Sequence, residues 1–172
     1  MFKLIFILVI FSISSYIGFM YAETFKKRKE QLNEILKALI ILENDVLYGS
    51  TPLPEALDKL SLKVDEPLSK IIKNSTKNLI EGKVEGVYEG FYGEFIELES
   101  EFYLIDTDKK VLRDFLKSLG ESGVYGQEKI FKLAVEEIKI NLREADDIAK
   151  KNVKLYRYLG VCFGMMISIF LI

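Results

Sequence analysis

Apolar positions along this chain fall into two patterns. At the two ends they are continuous: Leu4 to Ala22 reads LIFILVIFSISSYIGFMYA, and Leu159 to Ile172 carries no charge either. In between they recur every three or four residues, the spacing of one face of a helix. The first end has 19 uncharged residues, close to the roughly 20 that a helix needs to cross a bilayer. The second has 14, or 18 if counting starts at Leu155 and Arg157 snorkels toward the headgroups. A cleaved signal peptide fits the first end poorly, because Lys3 is its only leading base and bulky Met20 would stand where a small residue is needed.

Each apolar end is flanked by bases on the side facing the middle of the chain, Lys26, Lys27, Arg28 and Lys29 at one end and Lys150, Lys151, Lys154 and Arg157 at the other. Cytoplasmic flanks of membrane helices collect Lys and Arg, so the middle is expected in the cytoplasm, with both ends crossing outward. The expected domains are an N-terminal transmembrane helix over 1–23, a cytoplasmic helical bundle over 24–157 and a C-terminal transmembrane helix over 158–172. A buried core helix is the competing reading of the second end.

The middle reads as helices throughout. Leu32, Ile35, Leu36, Leu39, Leu42, Val46 and Leu47 form one stripe, and no breaker separates them from the first apolar end, which predicts one helix from about Phe2 to Tyr48. At 1.5 Å per residue it would be about 70 Å long. Gly49 is expected to end it in the left-handed conformation, with Ser50 or Thr51 capping the next helix and Pro52 and Pro54 in that helix's first turn. A third helix follows Asp65, with Pro67 in its first turn, and stops near Gly82. A fourth is expected from about Val84 to Ile105, intact if packing holds it or broken near its glycines at Gly90 to Gly93. Asp106 or Thr107 should cap a fifth helix, ended by Gly120, and a sixth should run from about Gln127 into the second apolar end. The fold expected is all-α, a six-helix antiparallel bundle whose long first and last helices continue into the terminal segments.

Composition sharpens this picture at three points. The formal charge of -2 divides unevenly: positions 31 to 149 carry 15 bases and 24 acids, a net of -9. The basic clusters are expected to meet anionic lipid headgroups, each base contributing about 1 kcal/mol near the surface, and nucleic-acid binding is not expected. The single cysteine, Cys162, lies in the second apolar end and has no internal partner for a disulfide.

Candidate chemistry is sparse. The absence of histidine excludes a Ser-His-Asp or Cys-His triad and any His-ligated metal site, and no GxxxxGK[ST] run is present. No cofactor is expected. Glu85, Glu89, Glu94, Glu97, Glu99 and Glu101 follow one another with no base among them; they read as a solvated face or docking surface, with Glu85, Glu89, Glu97 and Glu101 the proposed docking residues. Asp146 and Asp147 read as solvated surface as well. The apolar ends offer helix packing instead: Ser14, Gly18 and Ala22 in the first and Gly160, Gly164 and Ser168 in the second recur every fourth residue, an interval that lets helix backbones approach in lipid. Whether they pack on each other or on another protein stays open at this point.

Tyr16-Ile17-Gly18-Phe19 with Tyr21-Ala22, the turn Tyr48-Gly49-Ser50-Thr51-Pro52-Leu53 with Glu55-Ala56, and Leu119-Gly120 followed by Gln127, Lys129 and Ile130 closely resemble the stage III sporulation protein AB family of endospore-forming bacteria. Family members often carry Asp shortly after the Leu-Gly pair, where this chain has Gly123. The resemblance implies a component of the channel-like complex between mother cell and forespore, seated in the mother-cell membrane. Its cytoplasmic bundle would resemble the inner-membrane platform proteins of type II secretion and type IV pilus machines. By that analogy its partners would be other subunits of the complex, including a cytoplasmic ATPase of the same operon. Homo-oligomerisation stays open. A membrane-anchored enzyme is disfavoured by the missing motifs, and a plain membrane tether or adaptor fits the residues as well as a platform does.

Overall fold

The computed structural model describes residues 2–121 and 124–171. Six α-helices follow one another: α1 (Phe2–Glu43), α2 (Leu53–Ser61), α3 (Leu68–Ile80), α4 (Val87–Glu97), α5 (Asp106–Glu121) and α6 (Val124–Leu171). A π-helical turn, Asn44–Tyr48, extends α1, and a 3-10 turn, Glu99–Glu101, follows α4. The expected all-α fold is present, and among the described residues there is no strand. The chain forms two compact units, one of Met1–Lys29 with Arg143–Ile172 and the other of Glu30–Leu142.

The Glu30–Leu142 unit has a core of aliphatic side chains. Leu32, Ile35, Ile71, Phe131 and Ile138 are at most 2% exposed, which is the three-and-four stripe of each helix turned inward. Phe115 meets Phe131 edge to face, ring centres 5.1 Å apart. A void of only about 40 Å3 remains among Ile35, Leu39, Leu57, Leu68, Phe91 and Leu116, so α1 to α5 close on one another.

Helix ends depart from expectation in instructive ways. Gly49 is right-handed (φ -81) and Ser50 takes the left-handed conformation (φ 49). The π-helical turn shifts the stop by one residue, with Gly49 N–H donating to Asn44 O and Thr51 N–H to Asp45 O. Gly49 is needed for space: a Cβ there would lie 2.7 Å from the Asp45 carbonyl oxygen. No side chain caps α2; Pro52 holds the N-cap position in extended backbone and only Pro54 falls within the first turn. Because Pro has no N–H, the missing donor does the work expected of Thr51. At α3 the stop is as expected. Gly82 is left-handed (φ 66), its N–H bonds Leu79 O and that of Lys83 bonds Asn78 O, the paired closure of a Schellman motif. Pro67 sits at the N-cap of α3, after a cis bond, and not within the first turn.

α4 is shorter than the expected Val84–Ile105. It runs unbroken through Gly90 and Gly93, and Gly90 is held by packing, since a Cβ would come within 3.3 Å of Ser75 O and the Val84 side chain. After α4 and the 3-10 turn, Gln31 holds the backbone in its new course: its amide donates to Glu101 O (2.8 Å) and accepts from Tyr103 N–H (2.7 Å). Neither Asp106 nor Thr107 caps α5. Fully buried Asp108 reaches back to accept from Ile105 N–H (3.1 Å), the third-residue half of a capping box. α5 continues to Glu121, one residue past Gly120, and α6 begins at Val124, three residues before Gln127. Gly123 lies outside the described residues.

Among the described residues two helices are long and apolar enough to cross a membrane, and only 11% and 6% of their most apolar windows are buried. The core helix of a water-soluble protein would bury most of such a window.

Candidate functional site

The small residues of the two apolar ends face each other. A Cβ built on Gly18 would lie 2.7 Å from Gly160 Cα and 2.8 Å from Tyr156 O, and one on Gly160 would lie 2.9 Å from Gly18 Cα and 3.1 Å from Ser14 O. The obstacles are backbone atoms, which have no rotamer to change. Ser14 Oγ donates to Gly160 O at 3.1 Å, a bond between helices made at the same level. Further along, a Cβ on Gly164 would meet the Phe11 ring at 2.9 Å. Since Phe11 pairs with Gly164, Gly18 with Gly160 and Tyr21 with Tyr156, the two segments run antiparallel. Ala22 is fully buried. Of the six expected packing residues only Ser168 turns to its own helix, donating to Gly164 O at 2.7 Å.

Beyond the glycine contact the pair is closed by side chains to which the sequence had not assigned a packing role. Tyr21, Phe25 and Tyr156 form a cluster with ring centres 4.8 to 5.8 Å apart. Asp146, read as solvated surface, instead bridges the two segments: one oxygen accepts from Lys29 at 2.6 Å and the other from Lys150 at 2.5 Å. Hydrogen bonds from Lys150 and then Lys29 hold its carboxyl below the usual carboxylate range, and Asp146 in turn raises Lys150. The signal for this was an acid one helical turn before a base, which is common on solvated faces and did not reveal the partner on the other helix.

The basic flanks are therefore not uniform. All of these bases but Arg28 are exposed; among them Lys26 pairs with Glu23 at 3.4 Å, and the Arg157 guanidinium lies 5.5 Å from the centre of the Phe19 ring. Arg28 is only 6% exposed, which removes it from the set able to meet headgroups directly.

A sequence model of the family described as stage III sporulation protein AB matches residues 3–172. The chain belongs to that family. One relative, the stage III sporulation protein AB of Bacillus subtilis (strain 168), is 24% identical over 171 residues, covering 99% of each chain. A solved structure of a stage III sporulation protein AB superposes with a TM-score of 0.65 at 23% identity, covering 72% of this chain and 96% of its own; at that identity the likeness concerns the fold.

In this member of the sporulation family the acidic segment is spread over three kinds of backbone, not along one helix. Glu85 precedes α4, Glu89 and Glu97 lie in it, and Glu101 ends the 3-10 turn. All four are exposed, although Glu89 Oε2 also accepts from Glu85 N–H at 3.2 Å. The intervening acids have structural partners: Glu94 binds the amides of Asn74 (2.8 Å) and Asn78 (3.0 Å), and Glu99 pairs with Lys109 of α5 at 2.6 Å. The segment without bases in sequence thus has a base in space. Among the described residues no group of three or more acids, Cys or His converges as a metal site.

Proposed function

We propose that this chain is a non-enzymatic membrane platform of the mother cell–forespore channel complex required for endospore formation, coupling a cytoplasmic ATPase to membrane and ring components. The observation that carries the reading is the glycine contact between the two apolar ends, in a chain that matches a sporulation family from residue 3 to 172. Ends that pair backbone to backbone while their large side chains face outward are built for lipid, where packing drives helix association. On this reading both ends cross the mother-cell membrane around the forespore. Lys27, Lys151 and Lys154 face anionic headgroups, and the Glu30–Leu142 unit works in the cytoplasm. The exposed acids Glu85, Glu89, Glu97 and Glu101 steer a basic partner, a role that charge fills without contributing much to the fold. The test is cross-linking of the full chain in sporulating cells followed by identification of its partners. The platform reading expects the ATPase and channel subunits among them, with ATPase capture weakened when the four glutamates become glutamine. Recovery of the chain from the membrane with none of these partners would leave a plain tether and overturn the proposal.

A further inference from the structure

α4 and α5 enclose an open groove of about 240 Å3 whose walls are aromatic and aliphatic: Tyr88, Phe91, Phe95 and Ile96 from one helix, Leu112 and Leu116 from the other. Tyr88 and Tyr92 stack at 5.6 Å, and Tyr92 and Ile96 stand on the rim 50% and 55% exposed. Tyr88, Tyr92 and Ile96 follow at intervals of four, so the wall extends about 12 Å along α4, the length of two helical turns. The volume is below the roughly 300 to 1,000 Å3 of small-molecule sites, and the groove is partly open to solvent. Its proportions suit a helix laid lengthwise, with side chains entering at three- and four-residue spacing.

The ends of the groove differ in charge. Where α4 gives way to α5 stand exposed Asp106 and Glu99, the latter already paired with Lys109 of the same wall, while exposed Glu97 and Glu101 lie beside them in the chain. At the opposite end Lys117 lies 4.8 Å from the centre of the Tyr88 ring, and Arg113 lines the wall between. Aromatic anchors with an Arg at their edge are the composition that carries binding energy in protein interfaces. We propose that this groove docks an amphipathic helix of a partner protein, with an apolar stripe seated between Tyr92 and Leu116 and a cluster of bases at the end that carries Asp106, Glu97 and Glu101. The proposal deepens the platform reading and rests on it for the existence of a docking partner, while the partner's chemistry follows from the groove alone.

The experiment places a photo-reactive p-benzoyl-phenylalanine at Tyr92 of the full chain in sporulating cells, with the same group at exposed Ile80 as the control outside the groove, and sequences the cross-linked peptides. The expected result is a peptide from another protein with helical apolar spacing and bases gathered at one end, joined at position 92 and not at 80. Ile96→Lys, on an exposed rim position that should leave melting unchanged, should lower that yield about tenfold or more, since a like charge in an interface costs several kcal/mol. A cross-link at position 92 to lipid, to a second copy of this chain or to an acidic segment overturns the proposal, as does no cross-link. If whole-chain capture still recovers the ATPase while position 92 joins nothing, the groove fails and the platform stands. If position 92 joins a base-ended helix from a protein outside the channel complex, the groove stands and the platform fails.

Discussion

The paired terminal segments and the Glu30–Leu142 unit are both helical, yet their contacts are made of opposite material. In the terminal pair the smallest residues point inward and the largest outward: Gly18 and Gly160 meet backbone to backbone while Ile5, Phe6, Leu8, Phe163 and Met166 are more than half exposed. In the other unit Leu32, Ile35, Ile71, Phe131 and Ile138 fill the interior, and the outer faces carry the charge. Water drives the second arrangement, because burying apolar area is itself favourable there. In lipid, where the proposed function places the terminal pair, that drive is absent, and close backbone packing with a bond such as Ser14 to Gly160 takes its place. The same chain therefore uses glycine as a contact surface in one region and as a chain-stop or space-saver in the other.

The largest effect on this contrast should come from adding a side chain to the glycine contact. Gly160→Leu, or Gly18→Leu, meets backbone on the facing helix and should separate the pair, costing at least about 1–3 kcal/mol by overpacking. The check is thermal unfolding of the full chain in detergent, read from tyrosine fluorescence of the Tyr21–Tyr156 cluster. The Glu30–Leu142 unit should keep its helicity, and equal loss in both regions would erase the distinction drawn between them.

Next in size is the turn after α1. Gly49→Val places Cβ against Asp45 O and should destabilise the Glu30–Leu142 unit by about 1–3 kcal/mol in denaturant unfolding. Ser50→Gly should do the reverse, relieving a left-handed residue that costs about 1–2 kcal/mol, less the roughly 0.4–1 kcal/mol of extra unfolded-state freedom that glycine brings. Thr51→Ala should stay within about 0.5 kcal/mol, because Pro52 and not Thr51 occupies the cap.

A smaller effect is expected from acid. Asp146 has its pKa lowered in the folded chain, so its contribution is fully present above the ordinary value near 3.8 and is lost as pH falls through the lowered one. The raised pKa of Lys150 works at the other extreme, its contribution fading only as pH rises through a value above 10.5. The terminal pair should therefore loosen slightly below about pH 4, and Asp146→Asn should remove that acid-dependent part while leaving the glycine contact in place. A pair whose melting has the same acid dependence with and without Asp146 would show that Lys29 and Lys150 do not act through it.

How much of this was legible beforehand depended on whether the signal was periodic or positional. The stripe at Leu32 to Leu42 located part of the core of the Glu30–Leu142 unit, because burial repeats with the helix. Ser14, Gly18, Gly160 and Gly164 were legible as small residues at a fixed interval, although which surfaces they joined was not. What failed were single-residue events set by distant neighbours. Gln31 holds the segment after α4 from 70 residues away, Asp108 caps α5 by reaching backward, and a π-helical turn moves the left-handed residue from Gly49 to Ser50. The ion pair of Glu99 was not legible for the same reason, since Lys109 reaches it from the next helix, while Glu85, Glu89, Glu97 and Glu101 are exposed.

The central claim is that the two ends of one chain form one helix pair through Gly18 and Gly160. It is tested most directly by replacing Tyr21 and Tyr156 with cysteine in a Cys162→Ser background and oxidising the full chain in native membranes. The account predicts a disulfide within a single chain, seen as a faster-migrating monomer, that disappears when Gly160→Leu is added. A disulfide that forms only between two chains, or one that survives Gly160→Leu undiminished, would contradict it.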